Sequence, residues 1–141
     1  MEIECSISSD PAKLEMRRVH SWLANSYWSP KVSFEKVIHA MENSSLVLGA
    51  YSSGEQIGYL RLVSDKTTFA WISDVYVAEA CRGKGVARAM VEHAMTHPDY
   101  LEIKRWLLAT RDAHRVYEAL GFGPLEFPDH FMWKGTQIPE K

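Results

Sequence analysis

Six residues, Arg82-Gly83-Lys84-Gly85-Val86-Ala87, narrow the choice of fold more than any other stretch of this chain. They separate an apolar, strand-like run, FAWISDVYVAE, from a helix-periodic run, ARAMVEHAMTH. Two glycines two apart let the backbone turn tightly and aim several N–H groups one way, and a helix starting there adds the positive end of its dipole. A strand feeding such a turn into a helix is a unit of an α/β sheet protein. The natural guest of the turn is a phosphate.

The flanking patterns extend that unit in both directions. IECSIS alternates as a first strand, and Asp10 before Pro11 is an N-cap and first-turn pair that opens a helix with Leu14, Val19, Trp22 and Leu23 on its apolar side. After NSYWSPKV, Ser33 caps a second short helix in which Phe34, Val37, Ile38 and Met41 recur at helical spacing, ending near Asn43. The period then changes. LVLGAYS and EQIGYLRLVS pair through a tight SG hairpin, and FAWISDVYVA continues the meander. Pro98 ends the next helix, RWLLAT reads as a buried strand, DAHRVYEALGF as a helix opened by Asp112 and closed by Gly121, and FMWKG as a terminal strand. The expected order is β, α, α, β, β, β, α, β, α, then one or two further strands, a mixed and mostly antiparallel sheet with helices on both faces.

Length and charge bound the function. The 141 residues fit one domain, 1–141, with enough apolar content (46%) for a core without staples. A net charge of −2 argues against a nonspecific nucleic-acid binder, so any anion site is local. Cys5 and Cys81 lie far apart in sequence, which suits a reduced, cytoplasmic protein. MEIECSISSD has no signal-peptide pattern and no apolar run nears the ~20 residues of a membrane span, so no membrane partner is expected. His93 and His97 stand i, i+4 on a helix, but Ala94 occupies the place where a metalloprotease pattern wants Glu, and no metal is expected.

Two phosphate motifs fail on RGKG. A Walker A segment needs Ser or Thr after the Lys and a Gly five residues before it, where this chain has Gly85 and Glu79. A dinucleotide fingerprint needs a third Gly where Arg88 stands. What does fit is the pattern Arg/Gln-x-x-Gly-x-Gly/Ala, filled by Arg82, Gly85 and Ala87, followed downstream by AHRVYEALGF in the form A-x-x-x-Y-x-x-x-G-F. With these two motifs the chain resembles the GNAT superfamily of acyl-CoA-dependent N-acyltransferases.

That resemblance implies an α/β GNAT fold whose sheet splays between the fourth and fifth strands, acetyl-CoA as donor, and transfer to a primary amine by direct attack. It implies that the backbone of Val75, Tyr76 and Val77 pairs with the pantetheine arm. Gly83, Lys84, Gly85, Val86, Ala87 and Arg88, with Arg82, would hold the pyrophosphate. Tyr117 would be the general acid, and Thr110 stands where the family often has an Asn near the pantetheine. The family's usual Glu base is missing, since Trp71 and Arg105 occupy its places. Asp74 is the nearest strand carboxylate and the candidate base, with water as the alternative. Tyr27 and Trp28, in the connection that overhangs the acceptor site in that family, are candidate acceptor contacts, and FPDHFMW is a second candidate wall. A noncatalytic acyl-CoA-binding module of the same fold is the competing reading. A homodimer stays open, as does the identity of the amine.

Overall fold

The computed structural model describes residues 4–135. Asp10 caps its turn as expected, accepting from the Ala12 N–H at 3.0 Å, but Pro11–Lys13 form only one 3-10 turn. The first α-helix, α1, begins later, at Met16–Ala24, because Leu14 and Glu15 are extended or non-helical. Ser33 caps α2 (Phe34–Glu42) by accepting from the Lys36 N–H, and Asn43 ends it. Both helices present a narrow apolar stripe, and both pack on one face of the sheet. There Val19, Leu23 and Val37 meet Val47 and Tyr59.

The sheet has the order β1-β2-β3-β4-β5. Strands β1 (Ser6–Ser8), β2 (Leu46–Ser52), β3 (Glu55–Ser64) and β4 (Ala70–Val77) run antiparallel to their neighbours. The β2–β3 hairpin turns on Ser53 and Gly54, both at positive φ (53° and 77°), the geometry that matches the twist of paired strands. Alternate residues of β2 and β3, Leu48, Ala50, Leu60 and Leu62, face the opposite side and pack on α3 (Val86–Met95) and α4 (His114–Glu118). Helices therefore cover both faces of the mixed sheet.

Strand β5 is shorter than RWLLAT suggests: only Trp106–Leu107 pair, parallel to β4, at Ala70↔Trp106 and Trp71↔Leu107. Beyond that point the two strands diverge, leaving residues 72–77 of β4 paired on one edge alone. This is the anticipated splay between the fourth and fifth strands. Asp112 does not open α4. Ala113 holds the N-cap position, and its N–H donates to Thr110 Oγ1 at 3.0 Å. Gly121 does close the last turn, at φ 97°. FMWKG is not a strand: no strand follows α4 among the described residues, and Met132 and Trp133 stand in solvent, where no partner strand meets them.

Candidate active site

The site starts from a break in register. Tyr59 faces Tyr76 and Arg61 faces Ser73, so β4 spends one residue more than β3 between these pairs. The extra residue is accommodated at Asp74, whose φ of 53° is a left-handed conformation that Asp tolerates better than most side chains. A bulge re-aims side chains, and here it turns the Asp74 carboxylate onto two donors. Arg61 Nε donates to Oδ2 at 2.7 Å and Trp28 Nε1 to Oδ1 at 2.8 Å. The pair with Arg61 is largely shielded, the two side chains being 20% and 13% exposed. The expected strand carboxylate is thus present but tied on both oxygens.

Through that bond Trp28 is drawn over the sheet from the α1–α2 connection. Its ring lies 6.4 Å from Tyr76, which stacks in turn on Trp22 of α1 at 5.1 Å. Tyr27 meets Trp28 edge-on at 5.1 Å. On its other side Tyr27 reaches the β5–α4 loop, where its hydroxyl accepts from the Arg111 N–H at 2.9 Å and the Arg111 guanidinium lies 3.8 Å from the ring centroid. The connection is therefore fastened at two points, to β4 by Trp28 and to the β5–α4 loop by Tyr27, and spans the gap between the strands.

Tyr117 of α4 sits beneath. It is 8% exposed, packs edge-on against Phe122 at 5.9 Å, and has no hydrogen-bond partner for its hydroxyl among the described residues. Burial, with Tyr27 nearby as a lesser cause, pushes its phenol up to about 12. It remains protonated at any ordinary pH, a weaker acid than a free phenol.

The edge of β4 supplies backbone. Ala78 N–H donates to Ile57 O at 2.8 Å, toward β3. By alternation the N–H and C=O groups of Val77 and Val75 point the other way, into the gap, while Tyr76 contributes its ring to the aromatic wall. Arg82 confirms the direction for Val77: its Nε donates to Val77 O at 2.9 Å, and its guanidinium lies 5.0 Å from the Tyr76 ring centroid. Arg82 thus leans back along the strand edge. The chain then passes through Gly83 and Gly85, at φ 75° and 85°, directly into α3. Gly85 is the N-cap and offers no side chain, so the N–H groups of Val86, Ala87 and Arg88 have no side-chain cap. Lys84 and Arg88 are exposed beside them. This is a concentration of free N–H donors and cations suited to a phosphate. Thr110 spends its acceptor capacity on Ala113 and keeps its O–H free to donate.

The tail FPDHFMW lies elsewhere. Its Phe127, His130 and Phe131 line a groove with Trp106, Leu107 and Phe122, apart from Tyr27, Trp28 and Asp74. Among the described residues no cluster of metal-ligating side chains occurs, and no helix is long and apolar enough to cross a membrane. Three contributors escaped the sequence reading. Arg61 carried a signal, a charge inside the apolar run IGYLRLVS. Trp22 read only as a core-facing helix residue, and Arg111 had no local pattern at all.

Known proteins share this fold. The profile of the acetyltransferase (GNAT) family matches residues 13–122. A solved structure from Xanthomonas campestris pv. campestris, a protein placed in the GNAT family, superposes with a TM-score of 0.90 at 32% identity, covering 96% of each chain. A Clostridium acetobutylicum protein solved with acetyl-CoA shares the fold at TM-score 0.68 and 13% identity, over 95% of this chain and 96% of that one. A candidate acetyltransferase of Gibberella zeae is 24% identical over 155 residues, 94% of this chain and 85% of its own.

Proposed function

The chain belongs to the acetyltransferase (GNAT) family, whose donor is acetyl-CoA, and from that premise we propose that it acetylates the primary amine of a small molecule by direct attack. The observation that carries the reading is the continuity of the open β4 edge with the uncapped start of α3, with a protonated phenol across the gap. An extended, amide-bearing arm ending in a pyrophosphate matches that sequence of donors and acceptors. Bound acetyl-CoA supplies a thioester carbonyl to be attacked and a thiol to depart.

The protein's own residues then divide the work. The Val75 and Val77 backbone groups hold the extended arm as an added strand would, and an N–H of this edge faces the thioester oxygen as it gains charge. Gly83 to Arg88 and Lys84 hold the phosphates through backbone N–H groups and cations, and the Thr110 O–H donates nearby. Arg82 leaves Val77 O and turns its charge toward the phosphates. Tyr117 gives its proton to the sulfur as the C–S bond breaks, an uphill transfer from a raised phenol to a thiolate whose thiol pKa is about 8.5, and the phenolate recovers a proton through water from the one the amine releases.

Asp74, held by Arg61 and Trp28, acts by placing the indole and by drawing the acceptor ammonium toward the gap through its remaining lone pairs. The proton of the amine leaves through water, at a cost of about 4 to 5 kcal/mol for a group of pKa ~10.4 at pH 7. Tyr27 and Trp28 cover the amine with aromatic faces, which attract ammonium groups by about 0.5 to 2 kcal/mol. Fastening the connection on both sides of the gap narrows its mouth, which supports a small acceptor over a folded protein.

Thiol release from acetyl-CoA, measured across a panel of small primary amines, tests the proposal. Release with at least one amine, abolished when the amine is omitted, is expected. Tight binding of coenzyme A with no release for any amine would make the protein a noncatalytic binding module instead.

A further inference from the structure

One residue beside the gap has donors that the fold does not use. Arg61 stands on β3 between Leu60 and Leu62, which pack toward α3, so alternation turns its side chain to the opposite face, where Trp28 reaches Asp74. A carboxylate that meets a guanidinium commonly engages it with both oxygens, through two parallel N–H donors. Asp74 does not. Its Oδ2 accepts from Arg61 Nε at 2.7 Å, while its Oδ1 is diverted to the Trp28 indole at 2.8 Å. The two terminal nitrogens of Arg61 therefore have no hydrogen-bond partner among the described residues, and they are not sealed in, the side chain being 20% exposed.

Donors outnumber acceptors at this spot. Against the single carboxylate of Asp74 stand the Trp28 indole N–H, the Arg61 fork and the hydroxyl of Tyr59, which is fully buried and without a partner among the described residues. Burial pushes that phenol up, and the charges of Asp74 and Arg61 both reach it. At the other anchor of the connection the Arg111 guanidinium lies over the Tyr27 ring with no carboxylate at ion-pair distance among the described residues. Two guanidinium groups thus share one carboxylate around the gap.

We propose, building on the acetyltransferase reading above, that Arg61 selects the acceptor: a small primary amine that also bears an anionic group, a carboxylate or a phosphate, taken end-on by the terminal nitrogens of Arg61. The free edge of a guanidinium presents two coplanar N–H groups side by side, which matches two oxygens of one anionic group. Asp74 holds Arg61 through Nε, so the fork is oriented before the acceptor arrives and little side-chain freedom is lost on binding. The ammonium lies under the faces of Tyr27 and Trp28, and the anion on Arg61, so each charge of the acceptor meets its own partner. Arg111 adds positive potential at the mouth, which draws an anionic acceptor in and disfavours a purely cationic amine.

Amino carboxylates, their carboxamides and amino phosphates of matched length test the inference, by thiol release and by calorimetry on the protein saturated with coenzyme A. An anionic amine should exceed its uncharged counterpart in kcat/KM by about 10- to 100-fold, the difference lying in KM, and the carboxylate and phosphate arms tell which anion the fork takes. Arg61→Lys keeps a cation beside Asp74 but loses the fork. Its circular dichroism and coenzyme A affinity should match the parent, while the preference for the anionic amine should shrink at least roughly tenfold. Equal kinetics for the charged and uncharged amines, or a preference that survives Arg61→Lys, overturns the proposal. Should no amine release thiol, the acetyltransferase reading falls and calorimetry still decides the part of Arg61. Tighter binding of the anionic amine than of its carboxamide, by a margin lost in Arg61→Lys, supports that part, and equal binding overturns it.

Discussion

Replacing Tyr117 with Phe removes one oxygen from a place where the protein has no structural use for it. The ring is 8% exposed and keeps its edge-on contact with Phe122, and among the described residues no group donates to the hydroxyl or accepts from it. No partner is orphaned, so stability at pH 7 should change by less than ~0.5 kcal/mol. Turnover should fall by about 10² to 10⁴, the loss of a general acid, equivalent to a barrier raised by about 3 to 5 kcal/mol. Acetyl-CoA affinity should hold, because the departing thiol needs its proton only in the transition state. The raised phenol adds a second readout. A tyrosine whose folded value is about 12 against 10.0 unfolded stabilises the fold fully below pH 10 and loses that contribution as pH climbs to 12, about 2 to 3 kcal/mol in all. Denaturant titrations at pH 7 and pH 11 should therefore show a smaller alkaline loss in the Phe variant, with Tyr59 and Tyr51, also pushed upward by burial, keeping the rest. Thiol release at saturating acetyl-CoA and amine gives the rate, and calorimetry the affinity. A variant that turns over within twofold of the parent would refute Tyr117 as the acid.

Gly85→Val forces a β-branched side chain into a φ of 85° beside the uncapped start of α3, and coenzyme A affinity measured by calorimetry should fall tenfold or more. Arg82→Ala removes a cation worth about 1.5 to 3 kcal/mol to a phosphate, and the same titration should show a loss of roughly tenfold or more that shrinks in high salt. Asp74→Asn keeps a side chain that tolerates the left-handed bulge but ends the pairing with Arg61; denaturation should show a loss of about 1 to 3 kcal/mol, and kinetics a raised acceptor KM. Tyr27→Phe cuts the bond to the Arg111 N–H, worth about 1 kcal/mol, and should raise the KM of the amine several-fold while leaving that of acetyl-CoA alone.

The backbone geometry of the proposed donor side was legible because it is local. A strand, two glycines and a helix start are consecutive residues, and their geometry follows from the φ freedom of glycine and the orphan donors of a helix terminus. Helix caps obeyed the same logic where a single side chain decides, as Ser33 did. Reading failed where two local signals competed. Asp112 looked like a cap, yet Thr110 took the N–H that needed one, and the helix began two residues later. RWLLAT and FMWKG have the composition of strands, but a strand exists only with a partner, and the divergence of β5 from β4 removes it after two residues.

The proposed acceptor side was the harder part because its bonds join residues 46 and 84 positions apart, Trp28 to Asp74 and Tyr27 to Arg111. Period-two alternation put Asp74 on the face of Tyr76, which holds, but alternation has no means of announcing a bulge. The bulge is what matters here, because it converts a strand residue into a junction: one carboxylate answers Arg61 from β3 and Trp28 from the α1–α2 connection at the same time. A fully regular β4 would leave that carboxylate to one neighbour and the indole without its acceptor. The irregular backbone at Asp74 and the splay of β5 lie within a few residues of each other on β4, so the sheet gives up its regular hydrogen bonding in the region where the proposed extended donor and amine would meet its backbone and its side chains.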